Sequence, residues 1–132
     1  MKISEAIPDA MIKSVIDSLV ATTFESIMVT EPSSDQAHAP IVFVNEAFTK
    51  LTGYSPEEVL GKSPALLQGD ETEQAVLDRL RDNLNAGQAF EGATANYRKD
   101  GSKFTMHWRV ATVTGEDQQP LYFVAVQRER GA

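Results

Sequence analysis

The sequence predicts an α+β fold: a five-stranded antiparallel sheet with helices packed on one face, preceded by an N-terminal helix. Three observations carry this. Five short stretches rich in β-branched and aromatic residues are bounded by Gly, Pro, Asn and Asp clusters. The clearest helical patterns fall together between the second and third of these stretches. The length, 132 residues, suits a single domain with one core.

Residues 1–22 open the chain with Ile3, Ile7, Met11, Val15 and Leu19 at helical spacing, flanked by Ile12 and Ile16. This amphipathic helix either caps its own domain or pairs with another copy or a sheet face. Replacing Ile12 and Ile16 with Glu tests the pairing. The domain proper is placed at residues 23–130. Strands at 26–30 and 41–45 form an antiparallel pair across the turn-rich stretch 32–40. A short helical pattern at 46–51 is closed by Gly53, and Ser55-Pro56-Glu57-Glu58 reads as a helix start. Residues 72–86 set Val76, Leu77, Leu80 and Leu84 on one face and stop at Gly87. Strands follow at 90–98, 103–113 and 121–128, joined by Lys99-Asp100-Gly101 and Gly115-Glu116-Asp117.

The chain has no cysteine, which excludes disulfides, thiolate metal sites and any thiol adduct with a ligand. A formal net charge of -7, with basic residues scattered, argues against nucleic acid and anionic membranes as partners. The chain has no membrane-length apolar run, and Glu5 and Asp9 interrupt the N-terminal apolar pattern. A cytoplasmic protein is expected.

Val44-Asn45-Glu46-Ala47-Phe48, Leu51-Thr52-Gly53-Tyr54 and Asn96-Tyr97-Arg98-Lys99-Asp100-Gly101 resemble the PAS superfamily across residues 25–129. The segment from Gly61 through Gln68-Gly69-Asp70-Glu71-Thr72, with Phe123-Val124-Ala125-Val126-Gln127, resembles its light-oxygen-voltage (LOV) branch of flavin photosensors. That resemblance implies FMN as cofactor. It also implies cofactor contacts from Gln68, Leu67, Asn96 and Gln127, with Arg81 on the long helix as a phosphate anchor.

Several positions depart from the family pattern. Pro64 stands in the place of the adduct-forming cysteine, Ser63 in that of an asparagine, and Ala65 in that of a phosphate-clamping arginine. Met106 replaces a second asparagine, exchanging a donor-and-acceptor group for an apolar thioether. Trp108, on the same sheet face, replaces a smaller apolar residue and competes for ring space. Pro64 also suits the first turn of any helix, where its missing N–H costs nothing. Arg81 has a second reading as a surface residue paired with Glu71 or Asp78.

Two readings follow. Pro64, Met106 and Trp108 fill the cavity, leaving a cofactor-free PAS interaction and dimerisation module; or flavin still binds, with Trp108 as electron donor and Gln127 rotating its amide. An FAD-type redox sensor is a third. No enzyme is expected: Gly61-Lys62-Ser63 lacks the earlier glycine of a phosphate loop, the serines lack a base, and His38 and His107 show no ligand spacing with each other or with a carboxylate. The resulting expectation is a sensory, signalling LOV-like domain that makes no cysteinyl adduct. With no output domain after residue 132, its partner is expected to be a second copy or a downstream signalling protein.

Overall fold

The computed structural model describes residues 25–33 and 39–131; the expected N-terminal helix and His38 lie outside them. Five strands form one antiparallel sheet: β1 (Ser26–Thr30), β2 (Ile41–Val44), β3 (Phe90–Tyr97), β4 (Lys103–Thr114) and β5 (Pro120–Glu129), in the order β2-β1-β5-β4-β3. Between β2 and β3 run α1 (Glu46–Thr52), α2 (Pro56–Val59), a 3-10 helix (Pro64–Leu67) and α3 (Gln74–Asn85). Strand alternation sends Met28, Phe104, Met106, Trp108, Val110, Phe123 and Ala125 to the helix side, where they meet Phe48, Val59, Leu67 and Leu84 in one core. Among the described residues no helix is long and apolar enough to cross a membrane.

Local chemistry sets the element ends. Asn45 leaves the second strand to cap α1: its Oδ1 accepts from Phe48 N–H at 3.0 Å and Ile27 N–H at 2.9 Å, and its Nδ2 donates to Glu25 O. The amide thus ties β1 to α1. Gly53 closes α1 in the left-handed region, φ 81°. At α2, the Ser55 N–H donates to Glu58 Oε1 at 2.9 Å.

α3 starts two residues later than the periodicity predicts. Thr72 Oγ1 donates to Ala95 O at 2.7 Å and Glu73 N–H donates to Thr94 Oγ1 at 2.8 Å, so both residues are bonded to β3. At its far end Gly87 N–H reaches Leu84 O and Gln88 N–H reaches Asn83 O, a Schellman closure. In the β4–β5 turn the left-handed residue is Gln118, φ 66°, not a glycine.

Candidate functional site

A cavity of about 230 Å³ lies between the sheet and the helices, far more than the ~10–15 Å³ that one water needs on this measure. Pro64, Leu67, Gln68, Arg81, Asn96, Met106, Trp108 and Gln127, the eight residues expected to contact a cofactor, all line it. The sequence reading omits part of the wall: Met28 and Thr30 from β1, and Gln74, Leu77 and Asp78 from α3. Met28 and Thr30 share the inward phase of a five-residue strand, a signal too short to stand out from core packing.

The sheet forms the floor. Trp108 is paired with Gln127 on β5 and with Gly92 on β3, and Met106 with Thr94. Gln127 is 4% exposed, and its Oε1 accepts from Ser26 Oγ at 2.9 Å. Among the described residues its Nε2 has the Met28 sulfur alone, at 4.0 Å, so the amide's donor half is the weakly engaged one. Asn96, 8% exposed, donates to Ala95 O at 3.0 Å. A buried amide with spare capacity marks a place where a ligand's polar edge is welcome.

Trp108 stands in the cavity wall, stacked on Phe90. Its ring centroid lies 5.0 Å from that of Phe90, with 49° between the planes, and the Arg79 guanidinium lies 4.7 Å from the Phe90 ring centroid. Gly92 makes that stack possible, because a Cβ there falls 2.5 Å from Phe90 Cζ. Pro64 is the first residue of the 3-10 helix, capped by Ser63 Oγ accepting from Ala65 N–H at 3.0 Å. Its general helix-start role and its place in the wall therefore coincide. Gly69 passes so close to Tyr97 that a Cβ falls 2.4 Å from the ring.

The rim is charged but internally matched. Arg81 Nη1 lies 3.4 Å from Asp78 Oδ1, and its Nε lies 3.3 Å from Asp82 Oδ1. Asp78 is thus the partner; Glu71, the other acid considered, binds Lys103 at 2.6 Å instead. The Glu71 carboxylate holds the Lys103 ammonium pKa above its ordinary value. His107 Nε2 lies 2.8 Å from Glu91 Oε2 on the outer sheet face, a contact between adjacent strands that linear spacing does not reveal. His107 and then Arg109 hold the Glu91 carboxyl below its ordinary value. Among the described residues no group of three or more metal-ligating side chains forms.

This fold and this cavity define a class, and the chain belongs to the PAS domain family, which it matches over residues 25–130. Within that family it sits in the LOV branch. It is 35% identical over 103 residues to a blue-light photoreceptor of Listeria monocytogenes, covering 78% of this chain and 40% of that protein. With phototropin-2 of Oryza sativa subsp. japonica it shares 34% identity over 131 residues, covering 97% of this chain but 13% of the relative. The solved LOV domain of a blue-light-activated histidine kinase from Erythrobacter litoralis superposes with a TM-score of 0.74 at 31% identity, covering 82% of this chain and 97% of that one. The shared fold and these relatives support a sensory, signalling role. The chain spans less than half of the two full-length relatives.

Proposed function

We propose that this domain is a flavin-binding blue-light sensor of the LOV type that works without a cysteinyl adduct and passes its signal to a second copy or a downstream protein. The observation that carries the reading is the cavity itself, with Gln127, Asn96 and Gln68 on its walls. The flavin ring fits this lining: an apolar slot closed by Leu67, Met106 and Trp108, edged by buried amides. A bound flavin supplies blue-light absorption and a reducible ring. The protein supplies the rest.

Gln127 holds its carbonyl against Ser26 and so offers its Nε2 donor to the ligand. Because a hydroxyl both donates and accepts, Ser26 can also serve the rotated amide, its O–H turning as Gln127 exchanges donor for acceptor. Trp108 places an oxidisable indole at the wall. Pro64 stands in the place of the family's thiol, so a bound flavin would react without carbon–sulfur bond formation, with Trp108 as the side chain that would supply an electron. The output surface is the outer sheet face, where Phe43, Tyr122 and Val126 are exposed. A cytoplasmic setting goes with this reading.

The test is an absorption spectrum of purified protein before and after adding FMN or FAD. A structured blue band with flavin fluorescence that persists under blue light, without the bleaching of an adduct, is the expected result. A colourless protein that takes up neither flavin overturns the reading and leaves a cofactor-free interaction module. Uptake of FAD alone makes the domain a redox sensor of a different kind.

A further inference from the structure

Resting on the flavin reading above, we infer that this cavity selects a flavin whose side chain ends in an uncharged hydroxyl, the riboflavin type, over the phosphorylated FMN. The argument comes from the rim. The charged residues lining the cavity are one arginine and one aspartate, Arg81 and Asp78. Three of the arginine's five N–H donors are already engaged: Nη1 with Asp78 Oδ1 at 3.4 Å, Nε and Nη2 with Asp82 Oδ1 at 3.3 and 3.4 Å. Asp78 Oδ1 is in turn held by Gln74 Nε2 at 2.9 Å.

A phosphate carries roughly -1.5 to -2 charges at neutral pH. To use Arg81 it must compete with two carboxylates and sit beside the one that lines the cavity. The neighbouring cations do not offer themselves. Arg79 donates to Glu91 O at 2.8 Å and covers Phe90, and Lys103 is bound to Glu71. Ala65, in the first turn of the 3-10 helix, brings no charge. Gln68 and Gln74 instead line the cavity with amides, which suit the hydroxyls of an uncharged polyol. The net charge of -7 adds a long-range penalty against a phosphate.

The experiment is calorimetric titration of flavin-free protein with riboflavin and with FMN, at low and at high salt. Riboflavin binds more tightly than FMN, and FMN affinity alone rises with salt as the carboxylates are screened. The substitution Asp82→Asn, at a residue outside the cavity lining, loosens the hold on Arg81 Nε and Nη2 and strengthens FMN binding by about tenfold, the scale of one charge-assisted contact, with riboflavin unchanged. FMN binding as tight as riboflavin's, or tighter, in the unaltered protein overturns the inference while leaving the flavin reading intact. Failure of both flavins to bind overturns the two together.

Discussion

The floor and the rim of the cavity are built on opposite principles. On the floor, polar groups are few, neutral and buried, and lightly held: Gln127 by Ser26 and the Met28 sulfur, Asn96 by a backbone carbonyl. On the rim, charges are plentiful, roughly half-exposed and matched among themselves along one helix. Burial makes the floor's few bonds matter, whereas solvent screens the rim's many. Shape and ring recognition therefore belong to the sheet, and α3 contributes mainly a charge-balanced opening.

Substitutions that break this contrast fall in a clear order. The largest effect is expected from Gly92→Val, whose side chain drives Phe90 into Trp108. Stability falls by about 1–3 kcal/mol in urea unfolding, as overpacked cores do, and flavin uptake falls with it. Gln127→Leu leaves the Ser26 hydroxyl buried without its acceptor, at a cost of about 1–2 kcal/mol, and weakens flavin binding in titration. Arg81→Ala sharpens the comparison from the other side. Exposed ion pairs are worth little, so its unfolding midpoint stays within about 0.5 kcal/mol of the parent.

The smallest effect is one of pH. Lys99 Nζ lies 2.6 Å from Glu58 Oε2. Together with the Ser55 N–H, it lowers the Glu58 pKa from 4.5 to about 2. Because the folded value lies below the unfolded one, the contribution to stability is fully present above pH 4.5 and is lost as pH falls toward 2. In Lys99→Gln, acid unfolding between those values loses part of its slope, read by circular dichroism across a pH series.

Much of this architecture was legible from local chemistry. The bounds of β1 and the closure of α1 at Gly53 follow from punctuation within a few residues. The start of α3 was not legible, because the bonds that hold Thr72 and Glu73 run to a strand more than twenty residues away. The left-handed turn residue Gln118 likewise hides beside a glycine that takes no such conformation. The eight residues singled out by the family pattern all line the cavity, and for the four on strands inward phase is a period-two property readable from the sequence. What escaped it was reciprocity. Ser26 lies 101 residues from Gln127, His107 meets Glu91 across strands, and Arg81 is balanced by two acids on its own helix.

The stack of Phe90 against Trp108 has a practical consequence. This tryptophan is the chain's one indole, and it stands in the cavity wall. Its near-ultraviolet emission is therefore a built-in gauge of occupancy. A ligand that absorbs at those wavelengths dims it by energy transfer from the moment it enters, without a label and without regard to which flavin has arrived.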